Sequence, residues 1–165
     1  LPVSLIGIAI ALAAFAEFSR VAANKDYSFF SHLVLRKSRT IVGYTFLSAV
    51  GLAVLSYPLI KILLGGGKFG EEAVAATAYL LMAYCISIPL ESLMHLLSRA
   101  HYALKNTFRP SMIHVLTIGV TIAVSAGLID RVGLYAIPIG FSAGLAIQIV
   151  LLSGSLYQML KFRRG

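Results

Sequence analysis

Residues 40–60 read TIVGYTFLSAVGLAVLSYPLI, a stretch with no Asp, Glu, Lys or Arg. About 20 apolar residues in a helix cross the hydrocarbon of a bilayer. Lipid offers the backbone no water, so such a stretch must close its own hydrogen bonds as a helix. Four more runs free of those residues flank it, at 1–16, 73–90, 111–129 and 132–160. With their edges they predict spans over about 1–18, 40–64, 72–98, 111–129 and 133–160. The expected fold class is all-α, a polytopic transmembrane helical bundle of five spans in a single membrane domain.

A hydrophobic fraction of 59% and a mean hydropathy of +0.89 exclude an ordinary soluble domain. A net charge of +8 would suggest nucleic acid in a soluble protein. Here the charge lies beside membrane spans, so no nucleic-acid partner is expected. Arg20, Lys25, Arg36, Lys37 and Arg39 occupy the first gap, Arg99, Lys105 and Arg109 the third, and Lys161, Arg163 and Arg164 the tail. The other two gaps hold only Lys61, Lys68 and Arg131. Eleven against three is a positive-inside asymmetry. It predicts that the first span enters the cytoplasm and that the C-terminal tail is cytoplasmic. The chain opens within apolar sequence, without Met or a signal-peptide pattern, and has an odd number of spans. It reads as a piece of a longer polytopic protein.

Between the first two spans, Asp26 can cap an interfacial helix over about 26–38 that carries Tyr27, Phe29, Phe30, Leu33 and Val34. Arg20, Arg36, Lys37 and Arg39 are candidate contacts to lipid headgroups there. The turn Leu64-Gly65-Gly66-Gly67-Lys68-Phe69 fails as a P-loop, because Ile62 stands where the first glycine belongs and Phe69 where Ser or Thr belongs. Glu71 and Glu72 suit the first turn of the next helix.

Ser87, Glu91, His95 and Arg99 recur every four positions in the third span and share a helical face beside Pro89. Carboxylates inside membranes face bundle interiors or wet cavities. These residues either line a substrate cavity or lock helices together. Thr117, Thr121 and Ser125 can bond back to their own helix, and His114 is expected at the interface. Ala136, Gly140 and Gly144 form a small-residue face that admits another helix, and Gln148 extends it into the bundle as a further cavity candidate. Pro138 predicts a kink in the last span. The single cysteine, Cys85, lies inside a span, cannot form an internal disulfide and is expected to be a packing residue. No nucleophile–base pair, dinucleotide loop or metal-ligand cluster occurs, so no enzyme activity, catalytic residue, metal or cofactor is expected.

Four short stretches carry a family resemblance. Leu1-Pro2-Val3-Ser4-Leu5-Ile6-Gly7-Ile8-Ala9, closing at Ser19-Arg20, is similar to the LPLGLFGVA…LSR helix of the MurJ/MviN lipid II flippases, within the MOP transporter superfamily. Residues 64–69 resemble that family's FGRGAF turn. Arg99-Ala100-His101-Tyr102-Ala103, with Asn106, Thr107 and Pro110, resembles its RAFYA…DT.TP loop. Gly133-Leu134-Tyr135-Ala136 is similar to its GLALA start. The resemblance implies helices eight to twelve of a fourteen-helix transporter in the bacterial inner membrane. Its substrate would be lipid-linked and anionic, moved by alternating access, with the remaining helices of the full-length transporter as partners. A polysaccharide or cation exporter of the same superfamily, and a non-transporting membrane subunit, are the alternatives. The chain departs from the family at Ala16, Glu17, Asn106, Phe108 and Arg109, and residues 111–129 lack the family's acidic and amide sodium ligands.

Overall fold

The computed structural model describes residues 3–66 and 70–164. The Leu1-Pro2 opening, the Gly67-Lys68-Phe69 part of the turn and Gly165 lie outside the described residues. Helix takes nearly all the rest. A π-helical turn, Val3–Ile8, leads into α1, Ala9–Ala23. Then follow α2, Tyr27–Leu64, α3, Glu71–Cys85, α4, Ser87–Ala103, and α5, Phe108–Val132. A 3-10 turn, Gly133–Tyr135, precedes α6, Ala136–Arg164.

Asp26 starts α2 as expected, its carboxylate accepting the Phe29 N–H at 2.9 Å. The helix does not stop at residue 38, which corrects the expectation of a separate interfacial helix. Arg and Lys are good helix formers, so the basic cluster interrupts the hydropathy without interrupting the backbone. Thr40, expected to begin a new span, donates to the Arg36 carbonyl one turn back at 3.1 Å. Thirty-eight residues make a rod about 57 Å long, nearly twice the hydrocarbon thickness. Phe30, Leu33 and Val34 are buried, and the Phe30 ring meets Phe18 of α1 at 5.4 Å between centroids. Those apolar residues therefore pack α2 onto α1. Phe29 and Leu35 stay outside.

The predicted span 72–98 is two helices. Pro89 cannot donate to the carbonyl four residues earlier, and its ring crowds that carbonyl. The residue is Cys85, the last of α3, with Ile86 as a one-residue break. Pro138 does not kink α6, contrary to expectation. It sits in the first turn, where the N–H has no intrahelical acceptor to lose.

Four continuous helical runs are long and apolar enough to cross a membrane: Leu5–Ala23, Tyr27–Leu64, Glu71–Ala103 and Phe108–Arg163. The fourth is folded back on itself. Gly133 caps α5 with φ 59° and ψ −140°, a conformation that side chains disfavour. Beyond it α6 returns antiparallel along α5. A Cβ on Gly140 would strike the Ser125 hydroxyl and come within 2.9 Å of the Thr121 carbonyl. One on Gly144 would strike the Thr121 hydroxyl and come within 3.2 Å of the Thr117 carbonyl. The small-residue face is thus the α5 contact, and the fourth run is a pair of antiparallel helices.

The core joins α1, α2, α4 and α6, with Phe18, Phe30, Leu96 and Leu152 all fully buried. The α4 helix lies at its centre, and α5 packs almost wholly on α6. Large apolar side chains such as Leu47, Val54, Ile62 and Val150 remain exposed along the spans, as a chain solvated by lipid requires.

Candidate functional site

Because α5 rests on α6 and barely meets α4, a groove opens between α4 and α5 with α6 as its floor. Its inner chamber, about 180 Å³, is walled by Glu91 and Met94 of α4 and by Thr117 and Thr121 of α5. Phe141, Gly144, Leu145 and Gln148 of α6 form its floor. Its outer chamber, about 400 Å³, is walled by His95, Ser98, Arg99 and Tyr102 of α4 and by Pro110, Ser111 and His114 of α5. Met94, His114 and Gln148 line both chambers, so the two adjoin.

Glu91 lines the inner chamber and His95 and Arg99 the outer one, all from α4, and Gln148 lines both from the floor. Gln148 is buried, and its amide nitrogen meets His114 Nδ1 at 3.1 Å. His114 is therefore a groove residue rather than a purely interfacial one. Ser87 does not join the set. Its hydroxyl donates to the Tyr84 carbonyl at 2.7 Å beside the α3–α4 break, and it lines neither chamber. Thr117 and Thr121 bond back to carbonyls of their own helix, each at 3.0 Å, as expected.

A closed Glu–His–Arg lock is not what the side chains form. Among the described residues Glu91 accepts no hydrogen bond and makes no ion pair. The Arg99 guanidinium turns instead to the Phe15 ring of α1, 5.9 Å from its centroid. The groove thus holds a carboxylate at its inner end and a guanidinium near its outer end, neither neutralised by the other.

The basic residues gather at the outer end. Arg163 of α6 donates to the Leu104 carbonyl of the α4–α5 turn at 3.1 Å and lies over the Tyr27 ring at the start of α2. These contacts bring both basic turns and the end of α6 to one side. Of the four headgroup candidates, Arg20, Arg36 and Arg39 are exposed. Lys37 is committed elsewhere, with its Nζ 2.6 Å from Glu17. At the far end of α2, Glu71 of α3 accepts from Lys61 and Tyr57 at 2.6 Å each.

The description "Lipid II flippase MurJ" belongs to a family model that matches residues 1–165. A probable lipid II flippase MurJ of Bdellovibrio bacteriovorus is 29% identical over 94% of this chain and 30% of its own length. The lipid II flippase MurJ of Thermosipho africanus is 27% identical over 99% of this chain and 32% of its own. A solved structure, lipid II flippase MurJ in an inward closed conformation, superposes with a TM-score of 0.82 over 95% of this chain and 33% of that one, at 23% identity. The chain therefore spans about a third of the length of the relatives it matches.

Proposed function

The chain belongs to the lipid II flippase MurJ family, and from that premise we propose that it is part of a transporter carrying a lipid-linked, anionic peptidoglycan precursor between leaflets. The groove between α4 and α5 supports this reading, because it gathers Glu91, His95, Arg99, His114 and Gln148 in an otherwise largely apolar cleft between lipid-facing helices. Alternating access would rock this bundle against the remaining helices of the full-length protein. The basic end is the cytoplasmic side, following the eleven-to-three asymmetry, which puts the C-terminal end of α6 in the cytoplasm. In a bacterium the membrane is the inner one.

In this reading Arg99 holds the substrate's phosphate at the cytoplasmic mouth through charge-assisted, paired hydrogen bonds that a lysine does not reproduce. His95, Ser98, Ser111 and Tyr102 add donors around it. Glu91, further in, accepts hydroxyl or amide hydrogens of the headgroup. The observation that carries this is the shared chamber lining of His95, Arg99 and His114. Flipping of a fluorescent lipid-linked precursor by the full-length protein in vesicles tests it. Arg99→Lys and Glu91→Gln should each slow flipping while the protein still accumulates in the membrane. Normal flipping by both variants would sink the groove assignment.

A further inference from the structure

A second groove, about 390 Å³, lies between α2 and α6 at the basic end. It continues into a recess of about 200 Å³ that shares Ser31, Tyr157 and Leu160 with it and adds Lys161. The transport reading uses neither. Its floor is apolar, formed by the buried Val34, Leu97, Leu156 and Leu160. Its rim carries donors: the hydroxyls of Ser38, Ser153 and Tyr157, the His32 ring and the Lys161 ammonium, while the Ser31 hydroxyl donates to the Ser28 carbonyl at 2.8 Å. None of the described residues lining it is a carboxylate.

Depth in the membrane decides what such a groove meets. Ser38 on the rim follows Lys37, which is held at 2.6 Å by Glu17, and exposed Arg36 and Arg39 flank that pair. Leu97 on the floor is two residues before Arg99. The groove therefore starts at the ring of charge that ends the apolar zone and runs outward to the end of α6. That is the headgroup layer, on the side holding eleven of the fourteen Lys and Arg residues. Its volume matches about one turn of a helix, roughly 10 Å wide and 5.4 Å tall. It accommodates a flexible chain better than a packed helix.

We propose that this groove binds an anionic phospholipid of the adjoining leaflet, with the phosphate at Lys161 and Tyr157 and an acyl chain along Val34, Leu156 and Leu160. The chemistry selects the lipid class. Hydroxyls and an ammonium complement a phosphate, and the apolar floor complements a hydrocarbon chain. A zwitterionic headgroup would bring a cation that finds no carboxylate on the rim. The site stands apart from the α4–α5 groove and does not depend on the transport reading.

The full-length protein in phosphatidylcholine vesicles with a minor fraction of phosphatidylglycerol tests it. Leu35→Trp puts a reporter on the exposed groove wall, with tryptophans elsewhere in the full-length protein replaced by Phe. Quenching is compared when either lipid carries brominated chains. Phosphatidylglycerol should be enriched at the reporter about fivefold over its bulk fraction, the scale of one lysine near an anionic surface. Lys161→Met and Lys161→Glu should abolish the enrichment, and Lys161→Arg should keep it. Equal quenching by the two lipids overturns the proposal, as does enrichment that survives Lys161→Glu. Absence of quenching by either lipid also overturns it, because another part of the protein then fills the groove.

Discussion

Lys25 and Lys105 hold the same left-handed backbone conformation, φ 58° at each, in the α1–α2 and α4–α5 turns. Each is followed by a residue that caps the next helix. Asp26 accepts the Phe29 N–H and Asn106 Oδ1 accepts the Arg109 N–H. A Ser-Arg pair precedes each turn, Ser19-Arg20 and Ser98-Arg99. The two basic turns are built on one local plan, and both place a lysine where glycine is the ordinary occupant.

That conformation costs an L-residue about 1–2 kcal/mol. Lys105→Gly is expected to raise stability by up to about 1 kcal/mol, since the added freedom of the unfolded chain offsets part of the relief. Lys105→Val should lower it, because a branched Cβ tolerates positive φ least. Thermal unfolding in detergent reads both, and the same ordering should hold at Lys25.

Gly140→Leu and Gly144→Leu should each destabilise by about 1–3 kcal/mol or more through overpacking, and more than Leu151→Ala, which truncates a half-exposed side chain. Gly144→Ala already meets the Thr121 hydroxyl. Thr121→Ala should therefore recover part of that loss in a double-mutant cycle. Additive losses would place the collision elsewhere.

Glu17 makes two ion pairs of unequal worth. Lys37 lies 2.6 Å away with its side chain 27% exposed, whereas Arg36 lies 3.9 Å away and is 71% exposed. Lys37→Ala should cost about 1 kcal/mol and Arg36→Ala close to nothing, as exposed pairs do. Glu17→Gln should match the Lys37 variant.

Sidedness can be read by cysteine labelling in intact cells after Cys85→Ser. Leu134→Cys, in the exposed turn before α6, should react with an impermeant reagent. Lys105→Cys should react only once the membrane is opened. The reverse pattern would invert the topology drawn from the basic residues.

Hydropathy and charge alone carried the helical class and the grouping of basic segments, because lipid leaves few alternatives to the backbone. The spacing of Glu91, His95 and Arg99 carried one groove wall, since four-residue steps on a helix are geometry. Other features depend on how helices meet. Lys37 looked like a lipid contact until α1 brought Glu17 against it. Ser87 shares the periodicity of Glu91, yet the break at Ile86 gives its hydroxyl a nearer acceptor in Tyr84. His114 reaches the groove through the α5–α6 register. Its partner Gln148, a buried amide awaiting a partner, was the available signal. The continuity of α2 is not legible in the sequence, because the basic cluster breaks the hydropathy without breaking the helix.

The length of α2 has a mechanical consequence. Lys37 ties it to Glu17 near one membrane face, and Lys61 ties it to Glu71 at the other. These two fulcra stand about 36 Å apart along the axis. Thr45 and Ser56 are bonded back into the helix between them, and Pro58, inside the same helix, removes the bond to the carbonyl four residues earlier, so a weakened turn lies next to Lys61. A tilt imposed at the Glu17 end is carried along α2 as far as the turn at Pro58, just short of the Glu71 tie, so the helix can bend where it meets the far bilayer surface.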